Sequence, residues 1–228
     1  MKNKLHALIL AASLGAASVA SQAATLTLNQ WTFGNGNAVS VSTPSFSGQA
    51  GGFSGVLSGT GILDGAIDTY CIEIEQSFGF GSVYNNYNLV TAVAHFGAAK
   101  AATLGKVLSY ANPLVAAVAD GTDDDWSTAL QLAIWNTVYD ADGTLSGGVF
   151  NATGALVAKA NDFLAGAQNQ TSTLDLYVLR NGAHQDQLIW RPRQEEITLV
   201  PEPASLALAL AALGGLGVTT RRRRHGAD

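Results

Sequence analysis

The chain has 228 residues, of which 47% are hydrophobic and only 13% charged, with 25 glycines, one cysteine and a formal net charge of −5. So apolar a chain is not intrinsically disordered. One cysteine builds neither a disulfide framework nor a cysteine-based zinc site, and an acidic balance is a poor footprint for binding nucleic acid.

Residues 1–23 read as a secretory signal peptide. Lys2 and Lys4 form the charged start, residues 8–19 are apolar and alanine-rich, and Ser21-Gln22-Ala23 places small residues where a signal peptidase reads them. The apolar run is too short for a comfortable membrane span.

Residues 24–200 form the exported body. Six bases against fifteen acids leave it at −9, a surface that repels DNA and anionic lipid. Residues 24–90 read as strands: 25–28 and 39–42 alternate with period two, and glycines punctuate the zone as turns. A strand is expected within 67–78, with Tyr70, Ile72 and Ile74 on one face and Cys71 and Glu73 on the other. Residues 97–165 read as helical. Leu104, Val107, Leu108 and Ala111 form a stripe that Asn112-Pro113 should end. A second helix is expected over 126–139 with Asp125 as N-cap and Asp123 and Asp124 at its positive end. A third is expected over 153–165. Residues 173–199 return to strands, with Asn181-Gly182 as a hairpin signal. The order β, α, β predicts an α+β fold: a β-rich sheet or barrel with a central helical insertion, plus a C-terminal transmembrane helix.

That last helix is expected in 201–228. Pro201-Glu202-Pro203 precedes an uncharged apolar stretch, 204–218, and four arginines follow, Arg221, Arg222, Arg223 and Arg224. About 15 residues make roughly 22 Å of helix, a marginal span. The arginines should stay cytoplasmic, with the body exported.

This tail resembles the PEP-CTERM sorting signal: a Pro-Glu-Pro motif, a short transmembrane helix and a terminal arginine cluster. The resemblance implies a Gram-negative exported protein processed near Pro201-Glu202-Pro203 by an exosortase, with links to exopolysaccharide, biofilm and the cell envelope.

Two segments of the body, Tyr70-Cys71-Ile72-Glu73 and Leu130-Gln131-Leu132-Ala133-Ile134-Trp135, resemble the paired motifs of thioester domains in bacterial surface adhesins. In that family a cysteine on a strand and a glutamine on a helix condense, with loss of ammonia, into an internal thioester. The resemblance implies that Cys71 and Gln131 form the bond and that Ala133, Ile134 and Trp135 support it. Leu130 stands where the family has threonine. The chemistry needs a thiol beside a polarised carbonyl, shielded from water. Gln131 and Trp135 share a helix face, so the indole is expected to shield the amide. The alternative reading is equally simple: a lone cysteine often just fills core.

Other candidates are weaker. Asp120 and Asp123–Asp125 read as solvated helix caps. Asp140-Ala141-Asp142-Gly143 resembles the opening of a calcium loop but lacks the bidentate glutamate. His95 and His184 are not in a metal spacing, so no metal and no cofactor is expected. Tyr84, Tyr87 and Asn85, Asn86 and Asn88 read as a polar loop rather than a sugar site. No nucleophile elbow or phosphate loop occurs.

The sequence therefore predicts a non-enzymatic envelope or extracellular-matrix protein, anchored in the inner membrane until processed. Its expected partners are signal peptidase, an exosortase-type enzyme, the membrane, and an exopolysaccharide or a surface nucleophile. A noncovalent polysaccharide-binding or matrix scaffold is the alternative.

Overall fold

The computed structural model describes residues 23–194. The signal peptide up to Gln22, the strand expected at 196–200, the Pro201-Glu202-Pro203 motif, the apolar stretch and Arg221 to Arg224 lie outside the described residues. No helix among the described residues is long and apolar enough to cross a membrane.

The elements run β1 (Ala24–Trp31), β2 (Asn37–Thr43), β3 (Phe46–Ala50), β4 (Phe53–Ser58), β5 (Gly65–Cys71) and β6 (Val83–Thr91). Four helices and one short strand follow: α1 (Ala92–Phe96), α2 (Ala98–Ala116), α3 (Asp123–Tyr139), β7 (Asn151–Thr153) and α4 (Val157–Ala167). The chain then returns to β8 (Leu174–Arg180) and β9 (Gln187–Pro192). Six strands close an antiparallel barrel in the order β1-β4-β5-β9-β8-β6, and β3-β2-β7 form a small second sheet. The β-rich architecture is a barrel rather than an open sheet, and the helices enter between β6 and β8.

Period-two patterning sets the barrel interior. Ala24, Leu26 and Leu28 of β1 are buried while Thr25 and Thr27 are half-buried. The closest backbone approach is at Gly55, opposite Leu28, where an added Cβ would lie 2.1 Å from the Thr27 carbonyl oxygen. In β8, by contrast, Tyr177, Val178 and Leu179 are all buried. Helices α1 and α2 pack on this strand, so both of its faces are covered.

The helices differ from the sequence reading in three places. Pro113 lies inside α2. The helix continues because Pro113 and Leu114 carbonyls still accept from Ala117 N–H and Val115 is buried in the core. Asp125 is not the N-cap of α3. Thr122 holds that position without a side-chain bond, while Asp125 accepts from Asn37 Nδ2 at 3.0 Å. Thr153 lies on β7 beside Ser40 of β2, so α4 starts four residues later than expected. The Asn181-Gly182 turn is longer than a two-residue hairpin: a six-residue loop joins β8 to β9, held by Asn181 N–H to Asp186 Oδ1 at 2.6 Å.

Helix α3 is the centre of the body. Its residues from Ser127 to Thr137 are buried on every face, which places it inside the protein rather than on its surface. Its Ser127, Thr128, Gln131, Asn136 and Thr137 side chains are buried too, and each finds a backbone partner. Ser127 Oγ accepts from Gly52 N–H at 2.8 Å, and Thr128 Oγ1 donates to Ala50 O at 2.7 Å while accepting from Asn37 N–H at 3.0 Å. One row of the helix, Ser127, Gln131 and Trp135 at spacing four, faces the ends of β3, β4 and β5.

Candidate functional site

Cys71 is the last residue of β5, paired in register with Gln187 of β9. The expected alternation fails here. Tyr70, Cys71 and Ile72 are all buried, because the strand stops at Cys71 and its end is covered by α3 and by the residues leading into β9. Ile72 N–H continues toward Asp186 O at 3.1 Å.

Gln131 reaches this strand end from α3. Its Oε1 accepts from Cys71 N–H at 3.0 Å and its Nε2 donates to Cys71 O at 2.8 Å. The carboxamide thus pairs with the strand end as a neighbouring strand would. Gln131 is completely buried. The geometry needs no hydroxyl at position 130, where Leu130 packs fully into the core. The Cys71 backbone alone orients both ends of the Gln131 amide.

The thiol is buried as well, with Cys71 4% exposed. Its Sγ donates to Gln185 Oε1 at 2.9 Å, and burial pushes the thiol well above its usual range. Gln185 is itself fixed, Nε2 donating to Glu73 O at 2.6 Å and its carbonyl accepting from Tyr87 Oη at 2.9 Å. Gln187 is fully buried, and its Oε1 accepts from Thr69 Oγ1 at 3.3 Å. Gln185 and Gln187 were not read as site residues from the sequence. Two glutamines two apart beside the apolar Leu188-Ile189-Trp190 were the only signal.

Beside Cys71 lies a cavity of about 310 Å³. Trp31, Phe46, Phe53, Phe78, Phe80 and Trp135 give it aromatic walls, and Cys71, Gln76 and Gln185 also line it. Trp135 is 2% exposed and meets Phe46 edge-on at 5.4 Å. Ala133 and Ile134 are buried in the core and do not line the cavity.

The other candidates sit elsewhere. Tyr87 is buried, and Tyr84 Oη is held by Gly79. Asn85 Oδ1 accepts from Thr25. Asp140 accepts from Val149 and Phe150 N–H, and Asp142 accepts from Asn136 Nδ2 and Thr144 N–H. Asp120 caps Thr122. His95 packs against Phe96 and His184 against Tyr84. Among the described residues, no group of three or more histidine, cysteine, aspartate or glutamate side chains could hold a metal ion.

A barrel strand ending in a buried cysteine, clasped by a glutamine from a central helix, is an arrangement similar to that of a Cys–Gln thioester-type body. Comparison with known proteins agrees with this reading and adds the tail. The family model of the thioester domain matches residues 68–171, and that of the PEP-CTERM protein-sorting motif matches residues 199–224. The chain therefore carries a PEP-CTERM sorting motif, which implies export, membrane anchoring before processing and processing by an exosortase, and its body resembles a thioester domain. No curated protein and no solved structure gives a significant match.

Proposed function

We propose that this protein is a cell-envelope adhesive module that attaches covalently, once, through an internal thioester between Cys71 and Gln131. The observation that carries the reading is the reciprocal pair of hydrogen bonds between the Gln131 carboxamide and the Cys71 backbone. The Cys71 N–H on Oε1 polarises the amide carbonyl and is placed to stabilise the oxyanion that forms there. The Gln131 carboxamide is held against the backbone of the residue that carries the thiol, so attack is intramolecular. Sγ bonds to the Gln131 amide carbon, the C–N bond breaks, and the thiol proton leaves with the nitrogen as ammonia. The product is an electrophile held away from water in a buried site. It is consumed when a surface nucleophile takes the acyl group, so the protein attaches rather than turns over. After exosortase processing, the module would sit at the cell surface or in the extracellular matrix, near exopolysaccharide.

The test is the mass of the full chain, purified in detergent under nonreducing conditions. A chain lighter by one ammonia, with the Cys71 and Gln131 peptides joined, supports the reading. Full mass with free Cys71 overturns it.

One observation favours a second reading, a noncovalent matrix scaffold with a structural cysteine. The thiol is buried, neutral and already hydrogen-bonded to Gln185. In that case Cys71 would be alkylated quantitatively after denaturation, and Cys71→Ala would leave matrix association unchanged.

A further inference from the structure

The cavity beside Cys71 has unmet hydrogen-bonding capacity. Trp135 Nε1 and Gln76 Oε1 are buried, have no partner among the described residues, and belong to side chains that line it. A donor and an acceptor left open in an apolar site are features of a ligand pocket rather than of packed core. No charged residue lines the cavity.

A third open group would appear once a thioester forms. Gln185 Oε1 accepts the Cys71 S–H at 2.9 Å. The same oxygen is also reached by Gln187 Nε2 at 3.4 Å. A thioester sulfur carries no hydrogen, so this buried oxygen would lose the closer of its two donors and gain room for a new one.

We propose that this aromatic cavity docks the incoming nucleophile, and that Gln185 Oε1 accepts the N–H or O–H of its attacking atom. The inference rests on the thioester reading and names what that bond would react with. The nucleophile is uncharged when it attacks, because an ammonium would be buried there without a carboxylate. It is carried on a ring or apolar body, which the walls formed by Phe53, Phe78 and Phe80 would cover. The step balances. The attacking atom bonds to the Gln131 carbonyl carbon, the C–S bond breaks, and the proton moves from the attacking atom to Sγ. The S–H bond to Gln185 is then restored.

The experiment uses the full chain in detergent, with benzylamine and methylamine as probes at equal free-base concentration. The adduct on Gln131 is followed by peptide mass. Benzylamine should be captured at least about tenfold faster than methylamine, since burying a ring favours its docking. Gln185→Leu should retain the Cys71–Gln131 link but slow benzylamine capture about tenfold, as expected for one lost hydrogen bond. Phe80 is 41% exposed, so Phe80→Ala should not disturb the core, and it should lower the benzylamine-to-methylamine ratio. Equal capture of the two amines overturns the proposal, as does an unaltered ratio in Phe80→Ala. Wild-type capture by Gln185→Leu, or loss of the link in a folded Gln185→Leu chain, overturns the role of Gln185. Failure of the thioester reading appears separately, as an absent link before any amine is added.

Discussion

Gln131 and Cys71 are 60 residues apart in sequence, yet the Gln131 carboxamide closes a two-bond ring with the Cys71 backbone, at 3.0 and 2.8 Å. A side-chain amide held at both ends cannot rotate away from the strand. The same two bonds satisfy the buried backbone of a strand end that has no further sheet partner on that side. One residue thus serves both folding and the proposed chemistry.

Measured against the chain with its Gln131 amide intact, removing it should be costly for the first reason. Gln131→Ala leaves the Cys71 N–H and C=O buried and unsatisfied, and the loss should be about 2–4 kcal/mol. Chemical denaturation measures it. Cys71→Ala removes no backbone group, so it should cost less, about 1–2 kcal/mol. Both variants should abolish the linked peptide, and only Gln131→Ala should be strongly destabilised.

The pH dependence of stability separates a free thiol from a thioester. Burial raises the Cys71 thiol above its usual range, so the folded chain keeps a proton that the unfolded chain loses. Its stabilising contribution is complete below the unfolded thiol value of about 8.5 and is lost as pH rises beyond it. A chain with its thioester opened by methylamine should therefore lose stability between about pH 8.5 and 10. The intact thioester has no thiol to titrate and should stay flat there, as should Cys71→Ala. Above about pH 10 ionisation of unfolded tyrosines intrudes, since burial also raises Tyr70, Tyr87 and Tyr139. The measurement is the urea midpoint of each chain at a series of pH values.

Local patterns in the sequence were a good guide where one face of an element meets the core and the other meets water. The alternation at Leu26 and Leu28, and the stripe Leu104, Val107, Leu108 and Ala111, read correctly for that reason. Patterning failed where both faces are covered. Tyr70, Cys71 and Ile72 lie under α3, and Tyr177, Val178 and Leu179 lie under α2, so neither run alternates in burial. The Cys71 and Gln131 pair was legible through motif resemblance, but the way Gln131 is oriented was not. Gln185 left only the faint signal of a second glutamine two residues on. Its partners Cys71, Glu73 and Tyr87 lie 98 to 114 residues away, and only barrel closure brings them together.

Barrel closure also explains one glycine. Gly55 sits where β4 crosses the β1 bulge between Leu28 and Gln30, and an added Cβ would meet the Thr27 carbonyl oxygen at 2.1 Å. That oxygen is backbone and cannot step aside as a side chain would. Gly55→Ala should cost about 3 kcal/mol. By contrast Gly61→Ala should cost only its backbone strain, about 1 kcal/mol, since no atom lies near its added Cβ although its φ is +75°. Paired melting curves of the two variants give the comparison.

Trp135 tests whether water exclusion preserves the bond. It lies one turn beyond Gln131 on the same helix row, is 2% exposed and lines the cavity that Cys71 also lines, while Gln131 itself is completely buried. Trp135→Phe keeps a ring against Phe46 and removes the partnerless N–H with part of the indole, so it should leave a smaller void, cost about 1–3 kcal/mol and keep the thioester. Trp135→Ala opens a large void and should cost about 3–5 kcal/mol. In the fraction that folds, water should reach the acyl group and convert Gln131 to glutamate while freeing Cys71. Peptide mass spectrometry of position 131 reads this directly: amide-derived link in the wild type and in Trp135→Phe, glutamate in Trp135→Ala. An intact link in Trp135→Ala would show that the indole is core packing and that some other group keeps water out.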